Sequence, residues 1–333
     1  MIDCIELDEG AQGLRPAGRF ERPMAWRAGD VGVADWTVEV TPAALEEMEA
    51  IVARLRREHL PVYILCSGMF ELDACATMMG LVRERLDHRL GVALLDRLPV
   101  ERWSPEESRA VYWLLGGLLS QPVAQQADGM MFRDIVDAGG GEKEGNERAV
   151  TNHVLTFHTD NSGNRRRPNY VSLLCLGAPL AGGESQYCTV YSIYNALARE
   201  QPDLLERLFE PYLHDRQGIQ VAGEADVLRA PALSFDGERL HGRYSLNKIG
   251  VGYRKAGAAM DDRGRKALDT VVGLIEREQL ACSFLIEPGQ VQYLNNLEGL
   301  HHRADYTDGS HPQQRRYMLR MWFRHQGTPF FDG

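Results

Sequence analysis

The chain has 333 residues, 44% of them hydrophobic and 25% charged, with a formal net charge of −10. Such a composition supplies enough apolar material for a large globular core, and its acidity argues against a nucleic-acid backbone as partner. No apolar run reaches bilayer length and the first ten residues are acidic, so neither a membrane span nor a secretory signal is expected.

Six scattered cysteines (Cys4, Cys66, Cys75, Cys175, Cys188 and Cys282) form no CxxC pair. Free thiols in a reducing cytoplasm follow, and a zinc site does not. The one basic cluster, Arg165-Arg166-Arg167, is too short to change the judgement on nucleic acid.

Taken in chain order, Thr41-Pro42 opens an amphipathic helix with Leu45, Met48, Val52 and Leu55 on one face. Phe70 to Leu86 reads as a second helix, and Gly91 to Leu95 as a short buried strand. Ser104-Pro105-Glu106-Glu107 is a capping box with proline at the first helical position, predicting a helix to about Leu119. Gly139-Gly140-Gly141 followed by Glu142 to Glu147 reads as a mobile loop. Strands are expected over 154–158, 170–176, 185–190, 282–286, 291–294 and 316–323, punctuated by glycine, proline or asparagine. Two helical stretches interrupt them: 192–209, with a break at Pro202, and 261–280. A strand-rich centre with helices outside it fits a double-sheet jelly roll. No GxGxxG or Walker motif supports a nucleotide-binding sheet.

Phe157-His158-Thr159-Asp160 is the strongest local motif. On an extended chain, residues two apart point to one side, so His158 and Asp160 can converge on one ion. His301 is the candidate third ligand, in the run 295–303 (NNLEGLHHR). Two histidines and a carboxylate on one octahedral face leave positions open for a bidentate keto acid and dioxygen. Taken alone, His-x-Asp reads as a surface histidine beside a turn aspartate, and the case depends on what lies downstream. In the segment 315–323 (RRYMLRMWF), Arg316, Met318, Arg320 and Trp322 share one face, with Tyr317, Leu319, Met321 and Phe323 on the other. Two arginines on the same face of an apolar strand need anionic partners. A dianionic keto acid is one such partner. Salt bridges on a half-exposed edge strand are the alternative.

Together these motifs resemble the taurine dioxygenase-like (TauD/TfdA) family of iron(II)/2-oxoglutarate-dependent oxygenases. FHTD matches its His-x-Asp, and Gly182-Gly183-Glu184-Ser185 matches its Gly-Gly-acid-Thr/Ser turn. NNLEGLHHR matches its (Asp/Asn)-Asn-x-x-x-x-His-x-Arg, and QQRRYMLRMWF its terminal arginine strand. Ala25-Trp26-Arg27, Asp35-Trp36 and Leu98-Pro99-Val100 extend the similarity from about Trp26 to Phe323.

The resemblance implies a double-stranded β-helix (jelly roll, clavaminate synthase-like) with flanking N-terminal helices and a helical insertion. The expected organisation is one domain over 1–333: an N-terminal helical portion at 41–120 and a jelly-roll core at 150–325, with the insertion at about 192–280. It implies His158, Asp160 and His301 as iron ligands, with His301 chosen over His302. Arg316 would bind the distal carboxylate of 2-oxoglutarate, assisted by the Ser185 hydroxyl. Arg320 would contact the keto-acid carboxylate or an anionic substrate group, and Arg315 faces the wrong way for either task. The cofactors implied are Fe(II), 2-oxoglutarate as co-substrate and O2.

Asp160, where a halogenase would have glycine or alanine, disfavours halogenation. The activity implied is hydroxylation of an unactivated C–H bond of a small polar metabolite, an amino acid or natural-product intermediate, with release of succinate and CO2. Desaturation, cyclisation or epimerisation would use the same cofactors, and a non-catalytic jelly-roll binding protein is the reading from another class. Asn152, Thr156, Arg165, Arg166, Tyr244 and Asn247 are candidate substrate contacts, though such residues more often are plain loop or sheet-edge polar residues. A homo-oligomer is left open.

Overall fold

The structure, a computed structural model, describes residues 3–7, 13–137, 151–220, 223–311 and 314–331; the glycine-rich segment at 139–147 lies outside them. The first part of the chain runs β1 (Ile5–Glu6), α1 (Val33–Trp36), β2 (Thr37–Glu39), α2 (Pro42–Glu58), α3 (Asp73–His88), β3 (Val92–Asp96), α4 (Pro105–Leu119), β4 (Gln121–Val123) and β5 (Arg133–Val136). Next come β6 (Leu155–His158), β7 (Tyr170–Gly177), β8 (Ala181–Gly182) and β9 (Ser185–Thr189). An insertion follows: α5 (Val190–Glu200), α6 (Pro202–Leu208), β10 (Pro211–Asp215), β11 (Val227–Pro231), β12 (Leu233–Phe235), β13 (Leu240–Gly242), α7 (Leu246–Lys255) and α8 (Asp262–Arg277). The chain closes with β14 (Cys282–Phe284), β15 (Val291–Asn295), β16 (Gly299–Arg303), β17 (Tyr306–Thr307) and β18 (Tyr317–Arg324).

The N-terminal helices start where side chains satisfy their free N–H groups. The Thr41 hydroxyl accepts from the Ala44 N–H, with Pro42 as first helical residue of α2. The Ser104 hydroxyl accepts from Glu107 N–H while the Glu107 carboxylate accepts from Ser104 N–H, so the capping box forms. Helix α3 begins at Asp73 rather than Phe70. The Glu47 carboxylate of α2 accepts from the N–H groups of Ala74 and Cys75, both at 2.8 Å, and this tertiary cap sets the start.

Two sheets face each other as a double-stranded β-helix, or jelly roll. The larger has the order β2-β3-β15-β7-β18-β4, with β5 also pairing β18; the smaller has the order β14-β9-β16-β6. Every pairing in the two is antiparallel except β2 with β3. Strand β18 divides its residues as the alternation requires. Leu319, Met321 and Phe323 enter a core shared with Met48, Ile51 and Val52 of α2, Met78 and Val82 of α3, and Leu114 and Leu115 of α4. Full burial of each such side chain contributes about 1.5–3 kcal/mol. Met318 faces the other way, into the core between the sheets, with Ile135, Cys175, Tyr187 and Cys282. Arg320 and Trp322 extend that inner face toward the small sheet.

The insertion has its four helices packed over a third core that reaches Phe157 and Leu300. It also contains strands that the sequence reading leaves out: β10 and β11, which form a sheet with the N-terminal β1, and the hairpin β12-β13. In β10, Tyr212, Leu213, His214 and Asp215 are all buried, so no polar face alternates with an apolar one and the period-2 signal is missing. No helix among the described residues is long and apolar enough to cross a membrane.

Candidate active site

Strand β6 ends at His158, and β16 carries His301 directly opposite it in the ladder. Cross-strand neighbours share a face, so the two imidazoles meet with ring centroids 4.1 Å apart. Close approach at the start of β16 depends on Gly299, where a Cβ would fall 2.1 Å from the Tyr187 ring. Beyond His158 the chain turns, and Asn161 takes a left-handed φ of 57° that brings Asp160 back over the histidines. Asp160 Oδ1 lies 3.4 Å from His158 Nε2 and 3.6 Å from His301 Nε2. One ligand atom from each of the three residues falls within 4.8 Å of the other two.

Second contacts fix this arrangement. His158 Nδ1 is 2.8 Å from the Thr156 carbonyl, which selects the tautomer with Nε2 free to ligate. The Asn296 side chain accepts from Asp160 N–H at 2.7 Å and donates to the carbonyls of Asp160 and Pro168, so the β15–β16 turn grips the carboxylate's loop. Asp160 Oδ2 accepts from Arg320 Nη1 at 2.9 Å and from Trp322 Nε1 at 2.8 Å. Arg320 is itself steadied by Gln125, whose Oε1 accepts from Nε at 2.8 Å. Burial alone would push the Asp160 carboxyl up; Arg320, with His158 and His301, outweighs it and holds the group well below the usual carboxylate range. Burial, aided by His158, pushes His301 down to about 4, leaving its ring neutral and able to donate a lone pair at neutral pH.

Below this cluster sits a second one. Arg316 is 3% exposed, and its Nε and Nη1 have no hydrogen-bond partner among the described residues. Arg303 of β16 is 5% exposed beside it, and both guanidinium groups stack on Tyr306, at 4.9 and 5.3 Å from the ring centroid. Burial lowers both guanidinium pKa values, that of Arg303 to about 10 with Arg316 contributing. Ser185, also buried, opens β9 in register with Arg303. Two adjacent buried cations with open donors make a site for a carboxylate.

The other residues singled out from the sequence fall in several places. Arg320 does not stand free for an anionic ligand, as the sequence reading expects; its Nη1 and Nε are engaged by Asp160 and Gln125, tertiary partners that no local pattern reveals. Tyr244 is a core residue rather than a substrate contact: 3% exposed, it donates its hydroxyl to the Leu268 carbonyl of α8. Arg165 is exposed and paired with Glu224 at 2.8 Å, and Arg166 is exposed on the same loop. Arg243 ties that loop down through the carbonyls of Ser162 and Asn164. Thr156 is half-buried, two residues before His158 and so on its face of β6. Asn152 is half-buried and its carbonyl accepts from Tyr306 N–H. Asn247 is exposed on α7, whose N-cap Ser245 bridges to His158. His302 faces away from the ligand cluster and packs against Phe157, with centroids 5.0 Å apart. Gln125, Trp322, Asn296 and Arg303 were not assigned from sequence. Trp322 and Arg303 stood in recognised motifs, so alternation from Arg320 and His301 was the available signal; Gln125 offered none.

The family model described as taurine catabolism dioxygenase TauD, TfdA family matches residues 72–322. FR-33289 synthase of Streptomyces rubellomurinus (strain ATCC 31215) is 28% identical over 306 residues, covering 89% of this chain and 88% of that protein. Enduracididine beta-hydroxylase of Streptomyces hygroscopicus is 25% identical over 261 residues, covering 69% and 72%. Among solved structures, asparagine oxygenase in complex with Fe(II), 2S,3S-3-hydroxyasparagine and succinate superposes with a TM-score of 0.65 at 20% identity, over 86% of this chain and 93% of that one.

Proposed function

Because the chain belongs to the taurine catabolism dioxygenase TauD, TfdA family, we propose that it is an iron(II)- and 2-oxoglutarate-dependent dioxygenase that hydroxylates a small polar metabolite. The observation that carries this reading is the pairing of a His158–Asp160–His301 cluster with the buried Arg316, whose Nε and Nη1 have no hydrogen-bond partner among the described residues. The donor set, two imidazole nitrogens and one carboxylate oxygen, suits iron(II) and leaves one side open. When bound, iron(II) with 2-oxoglutarate and O2 supplies oxidation of an unactivated C–H bond, with release of succinate and CO2.

The chain's own contribution is orientation. His158, Asp160 and His301 would hold the metal, with Arg320 and Trp322 occupying Asp160 Oδ2 so that Oδ1 is the oxygen presented. Arg316 would take the distal carboxylate of 2-oxoglutarate, with Ser185 and Arg303 beside it. The site lies between the two sheets, where burial excludes water and strengthens each charge contact. In this reading the whole chain works as one domain, since the large sheet packs the N-terminal helices on one face and forms the site on the other. Four buried free thiols, Cys75, Cys175, Cys188 and Cys282, support a cytoplasmic compartment.

A small-molecule substrate, an amino acid or natural-product intermediate, accords with relatives named as enduracididine beta-hydroxylase and asparagine oxygenase. Incubating the enzyme with iron(II), 2-oxoglutarate and a metabolite panel in air should yield succinate in step with a product heavier by one oxygen. A product lighter by two hydrogens would instead select desaturation or cyclisation. Succinate release that no panel member stimulates would reject a metabolite hydroxylase.

A further inference from the structure

The Asp160 carboxylate has two oxygens, and the large sheet binds only one of them. Oδ2 accepts from Trp322 Nε1 at 2.8 Å and from Arg320 Nη1 at 2.9 Å, while Oδ1 lies 3.4 and 3.6 Å from the two histidine Nε2 atoms. The indole is held from both sides. In the β18 ladder Trp322 has Val171 of β7 directly opposite on one side and Val123 of β4 on the other. Directly opposed residues of an antiparallel pair project to the same face, and these three buried residues form a small core of their own. Both valines are β-branched and stiff at χ1, so the ring is wedged with little freedom to turn. Two residues beyond Val123, Gln125 accepts from Arg320 Nε at 2.8 Å, and the Arg320 guanidinium lies 4.8 Å from the Trp322 ring centroid. Val123 and Gln125, at alternate positions on β4 and its continuation, thus brace both donors to Oδ2.

An indole carries one polar hydrogen and no acceptor, and once buried it needs a partner for that hydrogen. The Trp322 N–H has taken the carboxylate oxygen that does not face the histidines. We propose that Trp322 is a positioning residue that keeps Asp160 a one-oxygen ligand when the metal binds. A carboxylate giving one oxygen beside two imidazoles leaves three of the six octahedral positions open, room for a bidentate keto acid and for dioxygen. A carboxylate giving both oxygens leaves two, and the keto acid alone fills them. Arg320 secures this less firmly, because its long side chain has many rotamers and can follow Oδ2 as the carboxylate turns, whereas the wedged indole cannot. This rests on the dioxygenase reading above and adds to it the residue on which the last open position depends.

The test uses the metal-free protein, the protein loaded with zinc(II) as a diamagnetic probe, and Trp322→Phe, which keeps an aromatic ring and removes the N–H. In proton–nitrogen NMR spectra of wild type, the Trp322 indole N–H is identified by its contacts with the Val123 and Val171 methyls. It should resonate downfield of a free indole, exchange slowly with solvent, and keep both properties when zinc binds. A shift to the free-indole position on zinc loading means that the metal has taken Oδ2, and it overturns the proposal whether or not the variant folds. In Trp322→Phe, kcat for 2-oxoglutarate-dependent succinate formation should fall about tenfold, while KM for 2-oxoglutarate and affinity for zinc change less than about threefold. An unchanged kcat overturns the proposal, and so does a parallel loss of kcat, zinc affinity and 2-oxoglutarate affinity, which would make Trp322 a packing residue alone. The spectrum of the anaerobic iron(II)–2-oxoglutarate complex is recorded for both proteins: its absence from wild type defeats the dioxygenase reading itself, whereas its presence with an unmoved kcat in Trp322→Phe defeats only the role of Trp322.

Discussion

Arg316 and Arg303 hold two positive charges side by side at 3% and 5% exposure, with Nε and Nη1 of Arg316 without a hydrogen-bond partner among the described residues. Burial lowers both guanidinium pKa values despite the nearby Tyr306 and aspartates, and a buried charge that is only partly compensated is costly, so an arriving anion should stabilise the pair. Arg316→Met, which keeps the apolar stem and removes the charge, should therefore raise the melting temperature of the ligand-free protein. It should also weaken 2-oxoglutarate binding on the order of 10–100-fold, the loss of roughly 1.5–3 kcal/mol from a charge-assisted contact, with iron binding retained. Calorimetry with and without 2-oxoglutarate reads both effects. A lower melting temperature together with unchanged affinity would mean that Arg316 serves packing alone. The facing of Arg316 was legible in sequence because β18 alternates cleanly. The engagement of Arg320 was not, because its partners come from residues 160 and 125. Tyr244 misled for the same reason: a tyrosine in an insertion gives no local sign that its hydroxyl ends on Leu268.

At the level of elements, α6 and α8 are clasped by one residue. Asp261 caps α8 by accepting from Gly264 N–H at 2.7 Å, and it accepts from Arg207 Nη2 at 2.7 Å. Arg207 is 5% exposed, so it relies on that carboxylate. The Arg207 hydrogen bond is the main cause that brings Asp261 down to about 2. A carboxyl depressed in the folded state stabilises above its ordinary value of 3.8, and the contribution is lost as pH falls toward 2. Asp261→Asn keeps an effective cap and removes only the charge. Because the Asp261 side chain is 52% exposed, the cost at pH 7 should be modest, about 0.5–1 kcal/mol. Urea unfolding should show that gap about half closed by pH 3. A gap of equal size at both pH values would assign the effect to capping.

Elements were unevenly legible for reasons that bear on the site. Helices α2 and α4 announced themselves through Thr41-Pro42 and the Ser104–Glu107 box. Strand β16, which carries His301, does not read as a strand, because three of its five residues (GLHHR) are basic or histidine, two of them, His301 and Arg303, facing the site. Strand β5 gives no signal either: its four residues, RDIV, are too short a window for periodicity.

Across the whole molecule, the large sheet is the supporting wall. Its outer face is braced by α2, α3 and α4, while its inner face presents Arg320 and Trp322 to the carboxylate of Asp160. The small sheet supplies both histidines from adjacent strands, and the Asn296 clamp joins the two ligand-bearing loops. Convergence of residues 158, 160, 301 and 316 is thus a property of the jelly roll as a whole. The central claim is that these residues together hold iron(II) and 2-oxoglutarate. Its most direct test is anaerobic addition of both to the purified protein. The account predicts a weak visible charge-transfer band in wild type that is absent from His158→Ala. No band in wild type, or a band that persists in His158→Ala, would contradict it.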